Sequence, residues 1–264
     1  MSETRGLLME KDGAIGWITF NNPERRNAVS QEMWQLMPEV VGELAADDAI
    51  RVVILRGAGD RAFVAGADIS QFKERRRNMA DEEEYRRISG RGHDALATLS
   101  KPLLAMIHGY CVGGGVSIAI TCDMRIAADD ARFGIPAARL GLGYHYHGME
   151  KLMKLVGPSV TKEIFFTART DWTAQDALRM GLVNQVVPKA ELLTFTRDYA
   201  HTIARNAPLT IRSAKATVEQ LGRPPAERDL ALLDKLMADC FNSEDYQEGV
   251  KAFSEKRRPQ FRGR

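Results

Sequence analysis

Three consecutive glycines, Gly113–Gly115, leave backbone N–H groups uncovered and therefore able to bind a ligand directly. They lie after a predicted strand and at the start of a predicted helix. Glycine has no side chain to cover the backbone. At the N-terminus of a helix the first N–H groups lack partners within the helix, and the helix dipole favours negative charge there. The segment therefore predicts a site for a phosphate or a developing oxyanion. Close packing of a helix on a strand is the alternative explanation.

A second turn of small residues lies upstream within Ala62–Ile69 and contains Ala65, Gly66 and Ala67. It also follows a predicted strand, so it too can present a bare backbone N–H. If the fold brings the two turns together, they direct two donors at one thioester carbonyl oxygen. Such an arrangement stabilises the enolate or tetrahedral oxyanion that forms from the carbonyl.

The loop Gly141–Glu150 carries the third group of residues with chemical potential, namely Tyr144, His145, Tyr146 and His147. A histidine titrates near neutrality and can serve as general base or acid. The alternatives are a loop in which these rings only pack or face solvent, and a metal site built from His145, His147 and Glu150. The metal site is the weaker alternative because three potential ligands on one loop are a poor signal.

The composition argues against several classes of protein. The chain has 264 residues, 44% apolar and 27% charged, and a net charge of +2, too balanced for nucleic acid to be the main partner. RNA binding would have to depend on Arg75–Arg77. Met1–Gly13 has no secretory signal character, and no apolar run approaches the ~20 residues of a membrane-spanning helix. The three cysteines fit no metal site and indicate a reducing interior, so we expect a cytoplasmic protein without a metal.

The elements that must position these residues follow from the apolar pattern. Leu7–Glu10 and Ile15–Phe20 predict a hairpin, and Ser30 is the expected N-cap of the next helix. Further strands are predicted at Val52–Leu55, Leu103–Ile107, Met124–Ala127 and Val183–Val187. Strands alternating with helices indicate an α/β fold. From Leu192 helical patterns dominate, so we expect an α/β core over residues 1–191 and a helical region over 192–264. The charged run Lys73–Arg87 predicts a solvated helix.

Several motifs in order give the chain a family resemblance. They are Asn22-Pro23 through Asn27-Ala28, Phe63–Ile69, Lys101-Pro102, Gly109–Gly115, Cys122-Asp123, Phe133–Pro136, Gly181–Asn184, and Glu248-Gly249 through Phe261. With these the chain resembles the enoyl-CoA hydratase/isomerase (crotonase) family over nearly its whole length. The resemblance implies a spiral of ββα units, a helical C-terminal region that mediates trimers or dimers of trimers, and oxyanion-hole N–H groups at Ala67 and Gly114. It also implies an acyl-CoA substrate and no separate cofactor.

The sequence departs from the family where hydratases carry two glutamates. One would follow the glycine triplet and the other would follow Pro136, but these positions hold Ser117 and Ala137. We therefore expect hydration to be absent or slow, since paired carboxylates do the acid and base work. In relatives with other chemistry a carboxylate lies eight positions beyond the Ala137 position, where this chain has His145. His145 is accordingly the predicted base or acid, with Ser117 and Tyr144 beside it.

The resemblance also implies residues that hold the substrate. Arg25 and Arg26 correspond to family positions that contact the adenosine-phosphate end of coenzyme A. The other expected substrate-binding residues are Ala65, Gly66, Asp68, Ile69, Gly113, Ala137 and Leu140. Asp68 is better explained as a helix cap than as a catalytic group. The leading hypothesis is a lyase, isomerase or thioester hydrolase that acts through an enolate or oxyanion, and the alternative is a non-catalytic acyl-CoA-binding or assembly protein.

Overall fold

The computed structural model describes residues 6–67 and 79–264 of the chain. Within them the strands are β1 (Leu7–Asp12), β2 (Ile15–Phe20), β3 (Val52–Gly57), β4 (Ala62–Val64), β5 (Leu103–Ile107), β6 (Tyr110–Val112), β7 (Met124–Ala128), β8 (Arg132–Gly134), β9 (Trp172–Thr173) and β10 (Gln185–Val187). They form a six-stranded sheet in the order β1-β2-β3-β5-β7-β10 and a four-stranded sheet in the order β4-β6-β8-β9. The α/β class predicted from the sequence is confirmed.

The helices connect the strands in a repeating pattern. They are α1 (Gln31–Ala46), α2 (Met79–Ala97), α3 (Gly114–Ala119), α4 (Ala137–Leu140), α5 (Tyr146–Thr167), α6 (Ala174–Arg179), α7 (Leu192–Ala204), α8 (Pro208–Leu221), α9 (Leu230–Phe241) and α10 (Glu244–Ser254). Each of the pairs β3–β4, β5–β6 and β7–β8 gives one strand to each sheet and is followed by helix. The chain thus winds as a spiral of ββα units, as expected.

Local sequence explains the first elements. Gly13 has a φ of 57°, which a residue without Cβ adopts at little cost, and it closes the hairpin of β1 and β2. The Ser30 side chain accepts a hydrogen bond from the backbone N–H of Met33 and caps α1. Both predictions from sequence are confirmed. The strand predicted to begin at Val183 begins instead at Gln185, because the Val183 N–H still bonds to the Ala177 carbonyl in the turn after α6.

The core lies on both faces of the six-stranded sheet, which explains why its parallel strands are nearly continuous apolar runs. One face packs against α1, α2, α3 and the four-stranded sheet, with Phe20, Met37, Leu55 and Phe63 fully buried. The other face is covered by α7, whose Leu192 and Ala200 pack on the sheet.

Helices dominate from Leu192 to Ser254, as predicted. Beyond α7, helices α8 to α10 leave large apolar side chains exposed, including Phe253 at 87%. The part of the charged run that lies in α2 has Glu83, Glu84, Arg86 and Arg87 in exposed ion pairs, whereas residues 73–78, with Arg75–Arg77, fall outside the described residues. No helix within the described ranges combines the length and the apolar character needed to cross a lipid bilayer.

Candidate functional site

The glycine triplet forms the sharp turn from β6 into α3. Gly113 has a φ of 56° and is the N-cap of α3, a conformation that favours glycine, and its N–H donates to the Gly134 carbonyl at 2.8 Å. A Cβ on Gly115 would lie only 2.0 Å from the Val64 carbonyl oxygen. The first glycine therefore supplies a backbone conformation, and the third permits close packing of the helix, which is the alternative explanation of the triplet.

The second turn, Ala65–Ala67, is held by the loop that carries Arg26. The Ala65 N–H donates to the Arg26 carbonyl at 3.0 Å, and the Val29 N–H donates to the Gly66 carbonyl at 2.9 Å. Gly66 has a φ of 107°, which again favours glycine. These bonds fix the backbone up to Ala67, the last described residue before the gap; Asp68 and Ile69 lie outside the described residues.

The two turns face each other across a small space. A methyl group placed on Gly114 would lie 3.6 Å from the amide nitrogen of Ala67, and one on Gly66 would lie 4.0 Å from the amide nitrogen of Gly114. Neither of these two amides donates to an acceptor among the described residues. The structure thus brings together the two backbone groups that the sequence singled out.

The Tyr144 hydroxyl lies beside the glycine turn. A methyl group on Gly113 would be 3.8 Å from the Tyr144 hydroxyl oxygen. The Tyr144 ring is half-buried and packs edge-on against Phe165, with ring centroids 5.2 Å apart. This packing on α5 holds the phenol, a hydrogen-bond donor and acceptor, beside Gly113 in the glycine turn.

His145 is oriented differently from its neighbour. It is exposed, and its ring centroid lies 4.3 Å from that of Tyr146, which is 66% exposed. Glu150 pairs with Lys154 at 2.9 Å, and the side chain of His147 falls outside the described part of the structure. Among the side chains that are described, no group of three histidine, cysteine, aspartate or glutamate residues is arranged to hold a metal ion.

The two positions that replace the family's glutamates lie on short helices. Ser117 is half-buried on α3, one turn after Gly114, and its N–H donates to the Gly113 carbonyl at 3.2 Å. Ala137 is the first residue of α4 and is 4% exposed, whereas Leu140 at the end of that helix is 57% exposed. Neither Ser117 nor Ala137 can carry a charge.

A cationic side chain lies at the start of the glycine segment. The guanidinium carbon of Arg26 is 4.6 Å from the centre of the Tyr110 ring, a cation–π contact on β6. Arg25 is exposed at the end of the preceding 3-10 turn. Arg26 therefore lies beside the segment that leads into the glycine turn, and it also holds Ala65 through its carbonyl.

The buried thiols near α3 are not nucleophiles. Cys111 and Cys122 flank the helix and lie in the core. Burial raises the pKa of Cys122 to about 12 and raises that of Cys111 as well. Because the thiolate is the reactive form, both side chains are inert at neutral pH.

Asn27 belongs to one of the family motifs, but its structural role was not predicted from the sequence. It is fully buried, with a φ of 56°, and its amide nitrogen donates to the carbonyls of Ala58 and Ala62 at 2.9 and 2.7 Å. Its side-chain oxygen accepts from the Asn22 N–H at 3.0 Å. The available signal was an asparagine directly after two arginines in a loop, since asparagine tolerates the left-handed conformation.

Replacing Asn27 by alanine is expected to lower the free energy of unfolding by about 2–4 kcal/mol, because one buried carbonyl, one half-buried carbonyl and one N–H lose their partner. Urea denaturation measures this change. Asn242→Ala, at an exposed helix end, is the matched control and should change stability by less than about 0.5 kcal/mol. Equal effects of the two substitutions would contradict the assigned role.

Two sheets wound from ββα units, with two bare backbone turns meeting between them, define a protein of the crotonase fold. The family model for enoyl-CoA hydratase/isomerase matches residues 10–264. A short-chain-enoyl-CoA hydratase of Clostridium acetobutylicum is 36% identical over 256 residues, covering 97% of each chain. A carnitinyl-CoA dehydratase of Escherichia coli O157:H7 is 33% identical and covers the whole of both chains. The crystal structure of an enoyl-CoA hydratase/carnithine racemase from Magnetospirillum magneticum superimposes with a TM-score of 0.94 at 34% identity, over 99% of this chain and 97% of that one.

The chain belongs to the enoyl-CoA hydratase/isomerase family, as the resemblance indicated. It is an acyl-CoA enzyme of the crotonase type.

Proposed function

We propose that the protein binds an acyl-CoA thioester with the carbonyl oxygen between the amides of Ala67 and Gly114 and stabilises the enolate or oxyanion that forms there. The observation that carries this proposal is the closeness of the two amide-bearing turns, with 3.6 Å between Ala67 N and a methyl group on Gly114. Donors already in place cost no reorganisation when charge develops on the oxygen.

The reaction is not efficient hydration. Adding water to an enoyl thioester needs groups that activate the water and deliver the proton. Ser117 and Ala137, at the positions that the family resemblance assigns to the two carboxylates, cannot do this work. The remaining chemistry is that of a lyase, isomerase or thioester hydrolase acting through the same enolate or oxyanion.

The Tyr144 hydroxyl is the side-chain group that we assign to proton transfer or orientation at the substrate. It lies beside Gly113, and its ring is held by Phe165. Tyrosine is among the side chains that serve as general acids and bases. His145, predicted from the sequence for this role, is one residue away and exposed; the two assignments are distinguished by experiment.

Arg26 and Arg25 are proposed to bind the phosphates of coenzyme A. Guanidinium groups bind phosphate through paired hydrogen bonds, and Arg26 is held over Tyr110 near the glycine turn. The acyl part of the substrate would then contact the short helix that begins at Ala137 and ends at Leu140. No further cofactor is required for enolate or oxyanion chemistry of this kind.

The test uses acetoacetyl-CoA, a thioester whose enolate absorbs in the near ultraviolet, so no natural substrate has to be known. Bound at the site, it should lose its C2 proton to solvent at a pH about two units lower than free acetoacetyl-CoA does. Two hydrogen bonds to the charged oxygen, at about 1.5–3 kcal/mol each, are sufficient for that shift. Binding without any shift would mean that the two amides do not reach the oxygen.

Gly114→Pro removes one donor at the first position of a helix, where proline is tolerated. The expected result is a loss of roughly half of the enolisation shift. Gly114→Ala is the matched variant that retains the N–H, since its methyl group meets only ordinary contacts at 3.6 Å. It should keep more of the shift than the proline variant does, and the opposite order would refute the assignment.

A non-catalytic acyl-CoA-binding protein is the second candidate, and the replaced glutamates are the observation that favours it. Turnover separates the two candidates. We expect at least one thioester from a panel of enoyl-, 3-oxo-, malonyl- and aryl-CoA esters to be converted. If all bind and none is converted, the second candidate is correct.

We also propose that the protein assembles as a trimer or a dimer of trimers. Helices α8, α9 and α10 border an apolar groove of about 660 Å³. In it, Phe241, Val250 and Phe253 are 59%, 56% and 87% exposed. Exposed apolar patches of this kind mark interfaces, and a second copy of the chain is the occupant that the family resemblance implies.

Light scattering at micromolar concentration is expected to give the mass of three or six chains. Phe253→Glu should dissociate the assembly, because a carboxylate would be buried without a partner. Leu178→Glu, at an exposed apolar residue of α6 that lies outside the groove, should leave the mass unchanged. A wild-type monomer would refute the proposal.

A further inference from the structure

Arg125 on β7 is a buried guanidinium without a carboxylate partner. Its side chain is in the core, with 3% of the residue exposed, and among the described residues it forms no ion pair. Four carbonyl-type oxygens satisfy it instead. Its Nε donates to Leu182 O at 2.7 Å, its Nη1 to Cys122 O at 2.7 Å and Ala119 O at 3.4 Å, and its Nη2 to the Asn184 side-chain oxygen at 3.4 Å.

One of these oxygens, Ala119 O, belongs to the last residue of α3, the helix whose first residue is Gly114, and Cys122 O lies in the turn that follows. The last carbonyls of a helix have no partner within it, and the dipole is negative at that end. The Arg125 guanidinium therefore holds the C-terminal end of α3 at Ala119 and the turn after it at Cys122. This location explains why a cation is stable in the core without a carboxylate.

The same guanidinium ties α3 to the segment before β10. Leu182 and Asn184 accept from it, the Arg125 N–H donates to the Asn184 side chain at 2.8 Å, and the Asn184 N–H returns to the Arg125 carbonyl at 2.9 Å. One side chain of β7 thus joins the end of a six-residue helix to the segment that leads into the neighbouring strand β10.

The opposite end of α3 is fixed by packing, because Gly115 leaves no room between the helix and the Val64 carbonyl. A helix so short, at about 1.5 Å per residue, behaves as a rigid lever. A displacement at Ala119 would therefore tilt the helix about the packed Gly115 and change the direction of the Gly114 N–H relative to Ala67.

We propose that Arg125 is a positioning residue of the Gly114 donor: by holding the far end of α3, it sets the alignment of the two amides. The inference rests on the proposed function, since it concerns the same oxyanion site. Arg125 would then contribute to the stabilisation of the bound enolate as well as to the stability of the fold.

Arg125→Lys tests the proposal, because lysine keeps the charge but lacks the planar fork that reaches several carbonyls at once. The bound acetoacetyl-CoA enolate should be roughly tenfold to a hundredfold less stabilised than in the wild type, since small misplacements of reacting groups have effects of that size. Coenzyme A, which has no thioester carbonyl, should bind the wild type and Arg125→Lys equally. On a converted substrate kcat should fall while KM changes little.

Asn184→Ala is the second variant and removes one hydrogen-bond acceptor of the guanidinium. Because Asn184 is exposed, this variant should fold even if Arg125→Lys does not. Its enolisation shift should decrease in the same direction by a smaller factor. Ile126→Ala is the matched control, at the next residue of β7 but on the sheet face covered by α7. It should lower the melting temperature and leave enolisation unchanged.

The outcomes are distinct. Variants of Arg125 and Asn184 that are less stable than the wild type but enolise the probe at the same pH would show that Arg125 is only structural. An equal loss of enolisation in Ile126→Ala would overturn the proposal too, because general destabilisation would then explain it. A wild-type protein that binds the probe without any shift would instead refute the proposed function, and this inference with it.

Discussion

The double variant Ser117→Glu/Ala137→Glu is expected to hydrate crotonyl-CoA about 10²–10⁴-fold faster than the wild type, the usual contribution of general acid–base catalysis. Ser117 lies one helical turn after Gly114, and Ala137 begins α4. A carboxylate at either position would belong to a short helix next to the oxyanion site that we propose. The carboxylate introduced at position 137 would also lie at a helix N-terminus, where the dipole favours negative charge.

The control for this prediction is Ser117→Gln/Ala137→Gln, which has the same volume without the acid and base. A gain in the glutamate variant alone assigns the effect to the carboxylates. A folded double variant without any gain would mean that the pocket is shaped for other chemistry. Wild-type hydration at roughly 10 per second or faster would show that another group already replaces the glutamates.

The sequence predicted the strands of the six-stranded sheet and missed those of the four-stranded sheet. β2 and β5 are runs of five or six residues, and both were located with their correct ends. β4, β6 and β8 have three residues each, too few to show a period. Ala62–Val64 and Tyr110–Val112 were therefore interpreted as parts of turns, although they pair with each other in the second sheet.

The backbone part of the site was easier to predict than its side chains. Glycine and alanine have no side-chain rotamers, so the role that we propose for the two turns depends on the backbone alone and followed from residue type and resemblance. Tyr144 and His145 are neighbours in a loop whose sequence has no helical or strand periodicity. The Tyr144 ring packs against Phe165 and the His145 ring against Tyr146, and these contacts set the direction of each ring. Contacts of that kind, like those that Arg125 makes with a distant segment, arise only when the chain packs.

The second large effect is expected from replacing the proton-transfer group, for which Tyr144 and His145 are the two candidates. Exchange of the α-protons of an acyl-CoA for deuterium reports enolate formation without a known substrate. Tyr144→Phe should slow this exchange by about 10²–10⁴-fold, because the phenol beside Gly113 would no longer transfer the proton. The ring and its packing on Phe165 are retained, so stability should change little.

His145→Ala is expected to slow the exchange by less than about threefold, since its ring is exposed and lies against Tyr146. This expectation revises the role that the sequence predicted for His145, and the two variants are measured side by side across the pH range. A large loss in His145→Ala with little change in Tyr144→Phe would restore the histidine as the proton-transfer group. It would also require the loop to turn His145 towards Gly113 when the thioester binds.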